Sequence, residues 1–294
     1  MTLKSNINFE QDKNYVPVLD HGFVGLIDHM GSDGAVVQAA RVSYGDGTKQ
    51  VQDDRNLIRY LMRHEHTTPF EMCEVKFHIK LPIFVMRQLV RHRTASMNEY
   101  SARYSVMTDE FYIPELEQIQ PQSTTNKQGR EDGEWGFEQK RDVQHAFQRS
   151  FFNAYKEYVN LLGKENDGLT RELSRSVLPV GGYTECYWKA NLKNFLHMVR
   201  LRADSHAQWE IREYANAMYN LIRPLFPEVC AAWEDYQQNA VKFSANELTL
   251  LKRLMSADKW LDLLEDFREE KVLASNFNIS KRELDEFKSK LGLD

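Results

Sequence analysis

Residues 91–105 read Arg-His-Arg-Thr-Ala-Ser-Met-Asn-Glu-Tyr-Ser-Ala-Arg-Tyr-Ser, which gathers three arginines, a histidine, a carboxylate and several hydroxyls into one short stretch. Guanidinium forks grip phosphate and carboxylate bidentately, in a geometry that lysine does not reproduce. Each such charge-assisted bond contributes about 1.5–3 kcal/mol once water is excluded. The stretch predicts an anion site, with a phosphorylated small molecule as the first ligand to consider. A second concentration of chemistry is Arg200, Arg202, Asp204 and His206. Taken singly these residues read as intrahelical ion pairs, but together they point to a site. His64-Glu65-His66 lacks the H-E-x-x-H spacing of a zinc helix and is expected to hydrogen-bond to a ligand or to the fold, with no metal. Cys73, Cys186 and Cys230 are far apart, show no C-x-x-C spacing and have no cationic neighbour in sequence, so buried thiols are expected and a cysteine nucleophile is not.

The elements that must position these residues are partly legible. Glu74–Leu81 alternates strictly, which puts Val75, Phe77, Ile79 and Leu81 on one face of a strand. Pro82 ends it, and Ile83–His92 supports a helix with Arg87, Gln88 and Arg91 on one side. Upstream, Thr68-Pro69-Phe70-Glu71 fits a capping box with proline at the first helical position. Gln118–Glu134 is almost wholly polar and reads as a mobile surface excursion within one domain. Helices are expected over Phe137–Leu162, with Phe147, Phe151, Tyr155 and Tyr158 as a core stripe, through Leu192, Phe195, Leu196 and Val199, and through Ile211, Ala215, Met218 and Ile222. The tail after Ala245 is charged yet periodic: Trp260, Leu264 and Phe267 share a face, and Ser280–Glu283 forms a second capping box between Ile279 and Leu284. The whole reads as a helix-rich α+β fold with a mixed or antiparallel sheet. No glycine-rich G-x-G-x-x-G turn supports a doubly wound parallel one.

Composition limits the partners. The chain has 294 residues, 42% hydrophobic and 12% aromatic, enough for a sizeable core, and a net charge of −5 that makes the arginine run a local patch. General nucleic-acid binding and membrane insertion are therefore not expected. No apolar run approaches the roughly 20 residues of a spanning helix, and Met1–Asp20 lacks a signal-peptide core, so the cytoplasm is the expected location.

Four separated motifs resemble one family. The run from Arg91-His92-Arg93 through Ser96, Asn98, Glu99, Ser101, Arg103 and Tyr104 is similar to the signature of flavin-dependent thymidylate synthases, the ThyX family. His66-Thr67-Thr68-Pro69-Phe70-Glu71, Leu81-Pro82-Ile83-Phe84-Val85 leading to Arg87-Gln88, and Leu201–Arg212 follow the same family in the same order. The resemblance spans roughly Ala39–Pro227. A single catalytic domain over 1–244 and a charged helical extension over 245–294 are the expected organisation.

The resemblance implies reductive methylation of dUMP to dTMP, with 5,10-methylenetetrahydrofolate as carbon donor, NADPH as reductant and FAD as the carrier between them. Hydride from reduced flavin would make a cysteine nucleophile unnecessary. It further implies that Gln88, Arg91, Glu99, Ser101, Arg103, Arg175 and Arg202 surround dUMP, with Arg202 on the uracil as the main catalytic group. Ser43, His66, Thr68, Glu71, Arg91, His92, Arg93, Glu99, Asn191, Lys193 and His197 would line FAD. A homotetramer with sites between subunits is implied as well. The alternative from a different class is a non-catalytic RNA- or nucleotide-binding module, with Arg87, Arg91, Arg93 and Arg103 on phosphates and Tyr100 and Tyr104 stacking on bases.

Overall fold

The computed structural model describes residues 12–43, 53–124, 129, 130, 133, 135–164, 167–254, 276, 277 and 279–291. Five strands form one antiparallel sheet: β1 (Tyr15–Val18), β2 (Gly22–Met30), β3 (Glu74–Pro82), β4 (Ser96–Glu99) and β5 (Tyr183–Asn191), in the order β1-β2-β3-β5-β4. The alternation in β3 is realised in full, since Val75, Phe77, Ile79 and Leu81 are completely buried. Register carries the same face into β5, where Phe77 lies opposite Trp188, Ile79 opposite Cys186 and Leu81 opposite Thr184. The other face is polar. There Lys80 pairs with Glu110 at 2.9 Å, and His78 meets Glu185 at 3.1 Å while stacking on Tyr187.

Eleven α-helices accompany the sheet among the described residues. They are α1 (Asp33–Arg41), α2 (Asp54–Arg63), the single turn α3 (Thr68–Glu71), α4 (Ile83–Leu89), α5 (Phe137–Leu162), α6 (Arg171–Ser174), α7 (Leu192–Arg202), α8 (Trp209–Ile222), α9 (Pro227–Trp233), α10 (Ala245–Leu254) and α11 (Lys281–Leu291). Leu192, Phe195, Leu196 and Val199 of α7 and Ile211, Ala215, Met218 and Ile222 of α8 all enter the core, as their spacing predicts. Phe195 stacks on Phe77 with ring centroids 5.6 Å apart. Among the described residues, no helix is long and apolar enough to cross a membrane.

Several expectations are corrected. The helix after Pro82 stops at Leu89 rather than His92, because the chain must turn back to pair Ser96–Glu99 with β5. Thr68 and Glu71 form no capping box: the cap position of this single turn is Thr67, and the Glu71 amide is held by the Thr67 carbonyl at 3.3 Å. Helix α5 has the predicted ends and is closed by Gly163 at φ 70°. Its stripe is largely covered: Tyr158 is buried, Phe151 stacks on Phe111 and Tyr155 donates to the Met107 carbonyl at 3.2 Å, whereas Phe147 is 40% exposed.

The polar excursion is tied down where it is described. Ile119 and Ser123 are buried, and Arg130 donates to the carboxylate of Glu210, itself almost wholly inaccessible and also bonded by Tyr112. Trp260, Leu264 and Phe267 lie outside the described residues. The capping box of the tail does form, with the Ser280 amide on Glu283 Oε2 at 2.7 Å and the Glu283 amide on Ser280 Oγ at 3.3 Å. Helix α11 docks on α2: Arg59 binds Glu283 at 2.7 Å and Asp235 at 2.5 Å, and Arg63 binds Glu286 at 2.5 and 3.0 Å.

Candidate active site

Strand β3 and helix α4 deliver the arginine run to the sheet, and β4 pins its far end. Glu99, opposite Cys186 in the register, accepts a hydrogen bond from Thr184 Oγ1 at 2.9 Å. Between these anchors, His92 turns toward α7. The last residue of α7, Arg202, donates its Nε–H to His92 Nε2 at 2.9 Å. That bond requires a neutral imidazole, and the surroundings enforce one. Burial first, then the charge of Arg202 and the neighbouring His197, depress His92 from 6.5 to about 4. Accepting at Nε2 places the ring proton on Nδ1.

Two further predicted residues, Arg91 and His197, lie beside this pair. Arg91 lies close enough that, after burial, its charge is the second cause of a lowered Arg202 pKa. His197 lies 6.3 Å from His92, ring to ring, and is itself pushed down by burial and by Arg200 and Lys193. Gln88 donates to Gln208 Oε1 at 2.6 Å and so ties the end of α4 to the start of α8. The cluster combines two adjacent guanidiniums with a neutral histidine that fixes the orientation of one of them.

Ser101, Arg103 and Arg175 form a separate group. Ser101 Oγ accepts the Arg103 amide at 3.3 Å, Arg103 pairs with the Glu172 carboxylate at 2.9 and 3.0 Å, and Arg175 donates to the Glu172 carbonyl at 3.2 Å. Both arginines thus gather at one residue of α6, and a carboxylate already occupies the Arg103 fork where another anion would bind. Of the remaining predicted residues, Arg93 is exposed, and Glu71 sits half-buried at the end of α3. Asn191 caps α7 by accepting the Asn194 amide at 2.9 Å.

The other predicted residues meet at two adjoining cavities. Ser43, His66 and Thr68 line a groove of about 1130 Å³, with Tyr60 and Arg282 on its wall. His66 also lines a cavity of about 300 Å³ together with Lys193 and His197. The two share Leu61, Glu65, His66 and Thr67 as a common wall. Glu65 holds that wall in a left-handed turn at φ 56°, a strained conformation for a residue other than glycine. Leu61, Phe70, Leu196 and Trp233 make the smaller cavity apolar beneath a cationic and imidazole rim. An apolar and aromatic lining with Lys193, two histidines and, in the adjoining groove, Arg282 fits a planar anionic cofactor such as a flavin dinucleotide.

Sequence reasoning missed Tyr60 and Arg282 in the groove wall, Glu172 between the two arginines, and a third cavity of about 310 Å³ lined by Lys80, Tyr100, Arg171 and Tyr183. The capping box at Ser280 located the helix that carries Arg282, but nothing local indicates where that helix docks. His64 is taken up by Glu286 at 3.2 Å and by the Tyr60 ring. All three cysteines are buried free thiols. Burial, with Glu99 and Glu185 next, pushes Cys186 up to about 12, and burial also pushes Cys230 up to about 12 and raises Cys73. None is poised as a nucleophile.

Comparison with known proteins shows the family. The model of the family described as thymidylate synthase complementing protein matches residues 25–228. The flavin-dependent thymidylate synthase of Rickettsia bellii is 51% identical over 253 residues, covering 83% of this chain and 86% of that protein. That of Gluconobacter oxydans is 48% identical over 269 residues, covering 92% and 84%. Among solved structures, the UMP/dUMP methylase PolB from Streptomyces cacaoi, bound with 5-Br UMP, superposes with a TM-score of 0.66 at 34% identity, covering 76% of this chain and 98% of that one. With the family match running through both the arginine run and the α7 cluster, the chain belongs to the flavin-dependent thymidylate synthases.

Proposed function

We propose that the protein methylates dUMP reductively to dTMP, using FAD, 5,10-methylenetetrahydrofolate and NADPH, and that Arg202 is its main catalytic group. The observation that carries the reading is the Arg202–His92 bond at 2.9 Å beside Arg91, with His197 leading from it into the cavities. Neutral His92 takes the Nε–H of Arg202, which leaves the terminal NH₂ groups to meet N3 and a carbonyl of the pyrimidine. A guanidinium held there stabilises the negative charge that develops as the ring is activated, an effect of about 3–4 kcal/mol per donor. Arg91, Ser101, Arg103 and Arg175 bind the phosphate, with Arg103 exchanging Glu172 for it, while Gln88 and Glu99 orient the nucleotide. His66, Thr68, Lys193 and His197 line the flavin, with Ser43, Glu71, Arg91, His92, Arg93, Glu99 and Asn191 around it. Bound FAD supplies hydride, and the inert cysteines suit a reaction that needs no enzyme thiolate.

The Arg91–Arg202 group sits where α4 and α7 end, and the Arg103–Arg175 group gathers at Glu172 of α6. The exposed Phe147 and Phe152 of α5 support a homotetramer in which neighbouring subunits complete each site. Residues 1–244 then act as the catalytic domain, residues 245–294 as an extension, and the cytoplasm as the place of work. The test is a visible absorption spectrum of the purified protein, followed anaerobically by NADPH and then by dUMP with methylenetetrahydrofolate. Flavin bleaching and recovery with dTMP formed is the expected result. A protein that neither takes up FAD nor turns over would return attention to a nucleotide-binding module.

A further inference from the structure

The tail beyond the family match meets the cofactor groove at one residue. Helix α11 is fixed by a clamp of unusual density: Arg59 on Glu283 and Asp235, Arg63 on Glu286, and Tyr236 bonded to both Arg63 and Glu283. Leu284 is buried beneath it. Of the described residues in the extension, Arg282 alone lines the groove. Its guanidinium lies 4.2 Å from the centroid of the Tyr60 ring, and its Nε is 3.3 Å from Glu286, the carboxylate that also holds Arg63 and His64. The Tyr60 ring and Glu286 therefore fix the orientation of a half-exposed cation at the groove wall.

The direction of the groove decides what that cation meets. Arg202 and His92 mark the pyrimidine end, His197 leads from them into the smaller cavity, and the shared wall at His66 and Thr67 opens into the larger groove. A flavin ring must lie toward the pyrimidine to exchange hydride with it. The other half of the cofactor then extends past His66 toward Ser43, Tyr60 and Arg282. We propose that the C-terminal helix is a wall of the cofactor groove and that Arg282 binds the adenylate half of FAD, through its phosphate or the face of its adenine. This rests on the flavin reading above. It makes the extension a part of the binding site, and the ion-pair clamp the device that holds Arg282 in place.

The test is titration of the full-length apoprotein with FAD and, separately, with FMN, which lacks the adenylate, following quenching of flavin fluorescence. Arg282→Ala is expected to raise the Kd for FAD about tenfold and to leave that for FMN within twofold. Arg282→Lys should recover part of the loss, because it restores charge without the planar fork. Circular dichroism and thermal unfolding of each variant control for folding, which substitution of a half-exposed side chain is expected to preserve. An unchanged Kd for FAD in Arg282→Ala, beside tight binding by the unaltered protein, would overturn the proposal, as would equal losses for FAD and FMN. Failure of the unaltered protein to bind FAD at all would overturn the flavin reading and this assignment with it.

Discussion

Arg202→Ala separates the proposed catalytic role of this arginine from any role in folding. The side chain is half-buried and, among the described residues, hydrogen-bonds to His92, so its removal should cost about 1 kcal/mol of stability and lower Tm by about 2–4 °C. The same change removes the donor meant for the pyrimidine, worth about 3–4 kcal/mol in the transition state, or on the order of a hundred- to a thousandfold in kcat. His92 supplies an internal check. Burial persists in the variant but the repulsion from Arg202 is gone, so its pKa should rise from about 4 and still fall short of 6.5. At pH 7 the imidazole is neutral in either protein, and lost turnover is therefore not a consequence of charging His92. The assay is dTMP formation at saturating dUMP and methylenetetrahydrofolate, with bound flavin counted from its absorbance and His92 titrated by NMR. Turnover within about threefold of the parent at full flavin occupancy would refute the assignment, and a fall in the His92 pKa would refute the electrostatic account.

Arg59→Ala removes one partner of the almost inaccessible Glu283, which keeps Tyr236, the Ser280 amide and Arg63, and should destabilise the protein by about 1.5–3 kcal/mol, read as a lower urea midpoint at unchanged slope. Acid should loosen the same clamp. Hydrogen bonds from Tyr236, the Ser280 amide and Arg59 overcome the upward push of burial to hold Glu283 near 2, and Arg63 and His64 do the same for Glu286. Both folded-state values lie below the ordinary 4.5, so this stabilisation is complete above about pH 4.5 and is lost as pH falls toward 2; a urea midpoint independent of pH across that window would contradict it. Arg130→Ala removes the cation facing the buried Glu210 carboxylate and should cost about 3 kcal/mol, whereas pairing it with Glu210→Gln should recover most of the loss. An equal midpoint for the single and double variants would show that the pair is idle.

Local signals recovered what local physics decides. Alternation fixed the buried face of β3, and helical spacing fixed α7, α8 and both ends of α5. The reciprocal bonds of Ser280 and Glu283 were legible because a capping box is complete within four residues. The same motif failed at Thr68, where a one-turn helix is held by backbone bonds from Thr67. Overextension of α4 has a tertiary cause, since pairing of Ser96–Glu99 with β5 outweighs the helical preference of the residues before it. Periodicity marks α5 as amphipathic but cannot say what covers its stripe. Long-range pairs left no trace at all: Arg59 and Glu283 are 224 positions apart, and Arg103 and Glu172 are 69.

The site follows from one repeated piece of geometry. Strands β3 and β5 run antiparallel with Glu74 opposite Asn191 and Pro82 opposite Tyr183, so the helices that follow them begin at opposite ends of the sheet. Each packs back over the apolar face, α4 through Val85, Met86 and Leu89 and α7 through Phe195, Leu196 and Val199. Antiparallel helices that start at opposite ends converge at their C-termini, and the bond between His92, just past α4, and Arg202, the last residue of α7, is that convergence. A helix C-terminus carries partial negative charge and favours a cation in its last turn by about 0.3–1 kcal/mol. Two such ends meeting offset part of the mutual repulsion of Arg91 and Arg202, which together with burial lowers the Arg202 pKa. The fold thus concentrates positive charge at the proposed nucleotide site, while burial, Arg202 and His197 keep His92 neutral.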